Sequence, residues 1–185
     1  MSAEVSCYVA VGSNLQRARS IRQGMDLLRE AFGALRCSTI YETPAVGFEG
    51  PAFWNLVVEL RTREPVTTVA AILRRIEAEC GRDEQARGFV SRTLDLDLLR
   101  YGDLCREQAA DGVPALPHAD ILKYDFVLAP LAELTPEWVH PVNGERLDTL
   151  WRERRAASDA TSASMTRVSL EACGDDARSA PARAE

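Results

Sequence analysis

Residues 92–99, with the sequence Arg-Thr-Leu-Asp-Leu-Asp-Leu-Leu, carry side chains that are suited to binding a metal ion and a phosphate group. Read with the two-residue period of a β-strand, alternating leucines lie on one face, and Asp95 and Asp97 lie on the other. Neighbouring carboxylates repel each other unless a cation lies between them, and Mg²⁺ is commonly held by carboxylates together with phosphate oxygens. The pattern therefore predicts a magnesium site for a phosphorylated substrate, with Arg92 as a phosphate ligand. Taken alone, the octet is equally compatible with a solvated strand face.

Composition narrows the class of protein. The chain has 185 residues, of which 46% are hydrophobic and 27% charged, and this predicts one globular domain with or without a tail. A net charge of -6 argues against a general nucleic-acid-binding surface. We expect no membrane partner, because the chain shows no leader pattern and no apolar run long enough to span a bilayer. The cysteines are widely spaced and odd in number, which favours free thiols in the cytoplasm: Cys7, Cys37, Cys80, Cys105 and Cys173. We also expect a monomer.

Hydrophobic periodicity predicts alternating strands and helices up to about residue 103. The predicted strands are 5–11, 35–41, 53–60 and the acidic segment ending near 101, with helices after residues 14 and 64 and loops at 42–51 and 81–91. Ser13 or Asn14 is predicted to cap the first helix, and Gly33 to end it. The order strand, helix, strand, strand, helix, strand indicates an α+β fold with a ferredoxin-like βαββαβ core. In that fold an antiparallel sheet carries helices on one face, which leaves the other face free for Asp95 and Asp97.

Extra C-terminal elements follow this core. A helical segment is predicted to begin near Asp120, a short segment interrupted by proline follows, and a last helix contains Leu147 and Trp151. From about Arg155 onward, Ala, Ser, Asp and Arg dominate and large apolar residues are scarce. We therefore predict a domain over residues 1–155 and a disordered tail over 156–185.

Several short motifs occur in one order between about residues 5 and 151. They are Tyr8-Val9-Ala10-Val11-Gly12-Ser13-Asn14-Leu15, Tyr41-Glu42-Thr43-Pro44, Asn55, Arg75-Ile76-Glu77 with Gly81-Arg82, Arg92-Thr93-Leu94-Asp95-Leu96-Asp97, and Pro117-His118. In these motifs the chain resembles the 6-hydroxymethyl-7,8-dihydropterin pyrophosphokinase (2-amino-4-hydroxy-6-hydroxymethyldihydropteridine diphosphokinase) family. Enzymes of this family transfer pyrophosphate from ATP to a pterin alcohol in folate biosynthesis. The Arg-Thr-Leu-Asp-Leu-Asp run is the most specific of the motifs.

The resemblance implies a role for each matching residue. ATP would be the co-substrate, and two Mg²⁺ ions would be bound by Asp95 and Asp97. The implied catalytic residues are Arg82, Arg92, Asp95 and Asp97. The implied nucleotide contacts are Glu77, Arg82, Arg92, Leu98 and His118. The implied pterin pocket consists of Thr43, Pro44, Val46, Phe53, Asn55, Phe89, Asp95 and Phe126. A loop at 82–92 would close over the substrates.

Taken singly, these residues also have ordinary structural explanations. An isolated phenylalanine such as Phe53 or Phe126 is more often a core residue than a ligand contact. Asn55 could be an edge residue, Glu77 could form a surface ion pair, and His118 could be an exposed loop histidine. Their joint occurrence in one order favours the functional interpretation.

The chain departs from the family at two positions. Tyr124 occupies the place of an arginine that many members direct at the ATP phosphates, and Phe89 stands where tryptophan is typical. We hypothesise that Lys123 or Arg87 supplies the missing charge, since a flexible ammonium reaches a phosphate as a point charge. Without such a substitute, turnover would be slower than is usual for the family.

Two other functions stay open at this stage. The first is a paralogue that binds pterin or nucleotide with little catalysis. The second is a Mg²⁺-dependent phosphohydrolase, which would release phosphate rather than AMP.

Overall fold

The computed structural model describes residues 3–81, 91–157 and 165–169. The elements in chain order are β1 (Val5–Ser13), α1 (Arg17–Phe32), β2 (Leu35–Cys37), β3 (Ile40–Thr43), β4 (Phe53–Thr62), α2 (Val66–Glu79), β5 (Asp95–Tyr101), α3 (Asp120–Lys123), α4 (Asp125–Leu134), α5 (Leu147–Ala157) and β6 (Thr166–Val168). The predicted α+β class and the βαββαβ order are confirmed.

The sheet is antiparallel and has the strand order β5-β1-β4-β3-β6, with β2 also paired to β4. Strand β1 lies inside the sheet, between β4 and β5, and its residues are largely buried. In the pairing of β1 with β5, Gly12 lies opposite Asp95 and Ala10 opposite Asp97. The first strand of the chain thus becomes the immediate neighbour of the acidic strand.

Helices α1 and α2 cover one face of the sheet, as predicted for the core. The buried leucines of the acidic segment, Leu94, Leu96 and Leu98, join the apolar residues of these two helices. Gly24 of α1 lies so close to Leu94 that a Cβ at Gly24 would be 2.7 Å from the Leu94 Cδ2. The alternation of leucine with aspartate therefore orients β5 as the sequence pattern indicated.

The opposite face of the sheet is only partly open. Tyr8, Val57 and Leu99 on this face pack against residues of α3, α4 and α5 in a second apolar cluster. The expectation that this whole face would be free is therefore wrong, because β4 and β5 also carry buried apolar side chains on it. The C-terminal helices cover part of the face, and the remainder is available for a site.

The predicted strand 35–41 is instead two short strands. Ser38 lies between them, where its N–H donates to the Val57 carbonyl and its Oγ accepts a hydrogen bond from the Val57 N–H, both at 2.9 Å. A side-chain oxygen takes the place of a backbone carbonyl in the ladder, so that regular pairing is interrupted. Strand β3 then extends to Thr43, inside the segment that was predicted as a loop.

The start of α1 also differs from the prediction. The residue before the helix is Gln16, in a left-handed conformation with φ of 49°, and no side chain caps the helix. Ser13 donates instead to the Leu15 carbonyl, and Asn14 binds other segments. Gly33 ends the helix as predicted, with its N–H bonded to the Arg29 carbonyl.

Part of the predicted tail is ordered. Helix α5 extends to Ala157, and β6 pairs with β3 so that Tyr41 lies opposite Arg167. The prediction of a disordered tail is therefore wrong for residues 165–169, where a short strand pairs with the edge of β3. Residues 158–164 and 170–185 lie outside the described part of the chain.

Across the described ranges, no helix combines the length and the apolar character needed to cross a membrane.

Candidate active site

A cavity of about 320 Å³ opens on the part of the sheet that the C-terminal helices leave uncovered. Strands β1, β3, β4 and β5 form its floor, the 44–52 loop forms one wall and the start of α4 forms another. Its lining residues are Ala10, Val11, Gly12, Thr43, Pro44, Val46, Phe48, Phe53, Asn55, Leu56, Arg92, Asp95, Asp97, Leu99, Asp120, Tyr124, Phe126 and Val127. We call it the first cavity.

The paired carboxylates line the first cavity. Asp95 and Asp97 are both half-buried on β5, while the leucines between and beside them are buried on the other face. Gly12 lies opposite Asp95 and has no side chain. A Cβ at this residue would occupy the space beside Asn55 and Asp95, at 3.2 Å from Asn55 Oδ1 and 3.9 Å from the Asp95 Cβ. The absence of a side chain at residue 12 keeps the amide and the carboxylate accessible to one ligand.

Arg92 is held beside Asp95. Its Nη1 donates to Asp95 Oδ1 at 2.9 Å, and the two side chains are 16% and 26% exposed. Its backbone is fixed by Asn14, whose Oδ1 accepts from the Arg92 N–H at 2.7 Å and whose N–H donates to the Arg92 carbonyl at 3.1 Å. The guanidinium is therefore pre-positioned next to the carboxylates, where a phosphate group would bind.

The charged lining residues of the first cavity carry an excess of negative charge. Asp95, Asp97 and Asp120 face it, against Arg92 among the described residues. A polyphosphate substrate would be repelled by this arrangement unless cations accompanied it. Within the described ranges, no group of three or more His, Cys, Asp or Glu side chains is arranged to hold a metal ion. Two neighbouring carboxylates are nevertheless a donor set that Mg²⁺ accepts when phosphate oxygens are also present.

The aromatic and amide side chains of the first cavity suit a flat heterocycle. Buried Asn55 donates from Nδ2 to Thr43 Oγ1 at 2.8 Å, which places polar groups from two paired strands side by side. Phe48 and Phe53 form an edge-to-face pair with centroids 6.2 Å apart. Aromatic walls with a few fixed hydrogen-bonding groups are typical of pockets for planar ligands.

A second cavity, of about 480 Å³, adjoins the other side of β5. It is lined by Ala70, Leu73, Arg74, Glu77, Leu96, Asp97, Leu98, Ala109, Ala110, Gly112, Val113 and Pro114. Buried Glu77 of α2 accepts a hydrogen bond from the Leu96 N–H at 2.8 Å. Because β5 is an edge strand of the sheet, this carboxylate satisfies a backbone donor that no neighbouring strand reaches.

The structure brings most of the predicted site residues together. Every described residue of the predicted pterin pocket lines the first cavity: Thr43, Pro44, Val46, Phe53, Asn55, Asp95 and Phe126. Of the predicted nucleotide contacts, Glu77 and Leu98 line the second cavity and Arg92 lines the first. Arg82, Arg87 and Phe89 lie outside the described residues.

His118 borders the first cavity without lining it. Its N–H donates to the Leu99 carbonyl at 2.9 Å, and its Nδ1 accepts from the Asp120 N–H at 3.3 Å. Leu99 and Asp120 do line the first cavity, so His118 contacts lining residues without lining the cavity itself.

Sequence reasoning missed several cavity residues. Phe48 lies in a loop without periodicity, and only its aromatic character could have marked it. Tyr124 was noted as a departure from a family motif rather than as a wall of the pocket. Asn14 was interpreted as a helix cap, although its amide joins the loops around the cavity.

Comparisons with known proteins identify the family of this chain. The family model described as 7,8-dihydro-6-hydroxymethylpterin-pyrophosphokinase (HPPK) matches residues 8–136. A 2-amino-4-hydroxy-6-hydroxymethyldihydropteridine pyrophosphokinase of Porphyromonas gingivalis is 34% identical over 139 residues, which cover 72% of this chain and 92% of that protein. The protein of the same name from Bacillus subtilis is 37% identical over 131 residues, covering 69% of this chain and 76% of that protein.

A solved structure shares the fold. The crystal structure of an HPPK-DHPS in complex with substrates superposes with a TM-score of 0.67 at 13% identity. The match covers 84% of this chain and 44% of that longer chain. The match to the family model and the identity to the bacterial proteins together lead to one conclusion: the chain belongs to the 7,8-dihydro-6-hydroxymethylpterin-pyrophosphokinase family.

Proposed function

We propose that the protein transfers pyrophosphate from ATP to 6-hydroxymethyl-7,8-dihydropterin, giving AMP and the pterin pyrophosphate, in folate biosynthesis. The observation that carries this proposal is the first cavity itself. It combines aromatic walls and fixed hydrogen-bonding groups, which suit a flat heterocycle, with paired carboxylates beside an arginine. An acceptor alcohol bound in the pocket would therefore lie next to the groups that bind phosphate.

The pterin would bind between the aromatic walls of the first cavity. Phe53 and Phe126 supply apolar faces, and Asn55 and Thr43 supply hydrogen-bonding groups from the sheet floor. Phe126 lies in the first turn of α4. Phe53, Asn55 and Thr43 lie on the paired strands β3 and β4, so their backbone positions are fixed before the substrate arrives. Such preorganisation reduces the entropy lost on binding and on reaching the transition state.

Asp95 and Asp97 would hold two Mg²⁺ ions. When bound, the ions would supply positive charge to the phosphate oxygens and lower the repulsion between them and the carboxylates. Arg92 adds a fixed guanidinium on the same side, paired with Asp95 at 2.9 Å. Phosphoryl transfer depends mainly on positioning and charge neutralisation, and these residues provide both.

The nucleoside part of ATP would occupy the second cavity. Glu77 and Leu98 line this cavity, and Asp97 lines both cavities. These linings support a binding mode in which the nucleoside and the phosphates of ATP lie on the two sides of Asp97. The roles implied for Arg82, Phe89 and His118 stay predictions, as do a monomeric state and a cytoplasmic location.

Product analysis tests the proposal. Purified protein is incubated with ATP, Mg²⁺ and 6-hydroxymethyl-7,8-dihydropterin, and nucleotides are quantified by anion-exchange chromatography. We expect AMP only when pterin and Mg²⁺ are both present, and no AMP after addition of EDTA. The Asp97→Ala variant should form AMP at least about 100-fold more slowly, because a group that neutralises transition-state charge is lost.

Asp103→Ala is the matched control, since Asp103 follows the same strand and its side chain is 98% exposed. This variant should retain wild-type activity. Pterin-independent release of phosphate would identify a hydrolase instead. Pterin binding without nucleotide turnover would identify a binding paralogue.

A further inference from the structure

Tyr124 lies at the junction between α3 and α4, and its backbone is fixed from both sides. Its N–H donates to the Asp120 carbonyl at 3.0 Å, and its carbonyl accepts from Val127 and Leu128 at 3.1 and 3.0 Å. The residue itself is extended, with φ of -123° and ψ of 131°. This break between two helical segments turns the Tyr124 side chain to the same side as that of Phe126.

The Tyr124 ring stacks on the Phe126 ring. Their centroids are 4.9 Å apart and their planes differ by 16°, and both residues line the first cavity. Neither ring is buried in the apolar core; both are half-buried at its border. A stacked pair at the surface of a cavity presents a larger and more rigid flat wall than a single phenylalanine does.

We propose that Tyr124 is a positioning residue for the heterocyclic substrate, whose ring holds Phe126 in the orientation that presents its face to the cavity. The inference rests on the proposed function, since it assigns how the pterin is oriented. Without the neighbouring ring, Phe126 samples more side-chain conformations, and ordering it costs part of the binding free energy. The expected effect is a change in pterin affinity and not in ATP affinity.

Lys123 allows the contribution of charge to be separated from that of the ring. Its Nζ lies 4.7 Å from the Tyr124 ring centroid, and hydrogen bonding to Tyr124 raises the pKa of the Lys123 ammonium. The side chain is exposed and does not line the first cavity. Removing the ammonium in Lys123→Ala should leave pterin affinity within about twofold of wild type, because the stacked rings stay in place.

The test combines pterin fluorescence titration with steady-state kinetics on full-length protein. Tyr124→Ala and Tyr124→Leu should each weaken pterin binding about 3- to 10-fold, the range that corresponds to loss of one aromatic pair. The KM for pterin should rise by the same factor, while the KM for ATP stays within about twofold. Tyr124→Phe keeps the ring and should restore wild-type values. Thermal melts of all variants report any loss of folding. If the alanine variant fails to fold, the leucine variant still tests the inference, because leucine keeps apolar volume at residue 124.

Wild-type pterin affinity in both Tyr124→Ala and Tyr124→Leu, with AMP formation intact, would overturn the inference and leave the proposed function standing. A defect in Tyr124→Phe as large as in Tyr124→Ala would also overturn it, because the hydroxyl rather than the ring would then be responsible. A wild-type protein that neither binds pterin nor forms AMP would overturn both proposals.

Discussion

At the scale of single residues, Asn14 joins segments that are far apart in the chain. Its Nδ2 donates to the Pro51 carbonyl at 3.2 Å and to Ser91 Oγ at 3.1 Å, and its Oδ1 accepts from the Arg92 N–H at 2.7 Å. The side chain is buried. One amide thus connects the end of the 44–52 loop to the segment that carries Arg92.

Replacing Asn14 by alanine should therefore affect both stability and activity. The Pro51 carbonyl and the Arg92 N–H would lose their partner, which we expect to lower the free energy of unfolding by about 1–3 kcal/mol. AMP formation should fall with it, because Arg92 is no longer held beside Asp95. Urea denaturation measures the first effect and the product assay the second.

Asn143 provides the matched control. Its side chain makes two hydrogen bonds, both to Glu145 in an exposed turn, where that of Asn14 makes three. Asn143→Ala should change the free energy of unfolding by less than about 0.5 kcal/mol. Equal effects of the two substitutions would contradict the role assigned to Asn14.

Sequence patterns predict which residues share a strand face, but not which loops contact each other. The alternation in residues 92–99 was sufficient to predict that Asp95 and Asp97 share a face, because a strand has a fixed period. The contacts of Asn14 were not predictable in this way, since they depend on how two loops approach each other in space. The family resemblance implied the residues of a pterin pocket, and those that the structure describes line the first cavity, yet it gave no role to Tyr124 or Phe48.

At the scale of elements, β5 is a sheet edge that is supported by α2. The Leu96 N–H lies between the two aspartates in sequence and donates to the Glu77 carboxylate at 2.8 Å. Helix α2 therefore replaces the missing neighbouring strand between Asp95 and Asp97. The position of the aspartates depends on this helix as much as on the sheet.

Glu77→Ala should destabilise the ligand-free protein by about 1–3 kcal/mol, because a buried backbone donor loses its acceptor. Glu77→Gln keeps an acceptor oxygen and should be milder. Both are measured by urea denaturation without nucleotide, so that any contribution of Glu77 to ATP binding is excluded.

Glu79→Ala is the control on the same helix. Glu79 is exposed and pairs only loosely with Arg75, at 3.4 Å. Its loss should cost less than about 0.5 kcal/mol. If Glu77→Ala were as mild as Glu79→Ala, the support of β5 by α2 would be unimportant.

The order of the helices and strands was predictable from periodicity, but the residues at which they begin and end were not. Apolar periods in 5–101 predicted the βαββαβ core because each element buries one side against its neighbours. The division into β2 and β3 escaped prediction because it results from a hydrogen bond between Ser38 and Val57 across the sheet. Residues 165–169 were assigned to the tail because the three residues of β6 are too few to show a periodic pattern.

At the scale of the whole molecule, the C-terminal segment completes the sheet. Strand β6 pairs with Ile40–Glu42 of β3, and Val168 packs against the apolar core between the sheet and helices α1 and α2. The neighbouring Tyr41 donates from its hydroxyl to Glu133 Oε1 of α4 at 2.5 Å. Strand β3, which ends at Thr43 of the pterin pocket, is thus held by β4, β6 and α4.

Deleting residues 158–185 should expose the edge of β3. We expect the free energy of unfolding to fall by about 1–2 kcal/mol, the net value of the lost ladder hydrogen bonds and apolar contact. An exposed strand edge also favours association between copies, which sedimentation velocity detects.

A shorter deletion, of residues 170–185, retains β6 and serves as the control. It should leave both the urea midpoint and the sedimentation coefficient close to those of the full chain. If the two deletions behaved alike, β6 would have no part in protecting the sheet edge.

Among the described lining residues, Asp97 is the one that borders both cavities. Two ligands that meet at a common carboxylate do not bind independently, because each alters the charge that the other encounters. Thermodynamic linkage then requires reciprocity: the factor by which ATP changes the affinity for pterin equals the factor by which pterin changes the affinity for ATP. If pterin and ATP occupy the two cavities as proposed, an affinity measured with either substrate alone describes half of a coupled equilibrium, and Asp97 is the lining residue that the two ligands share.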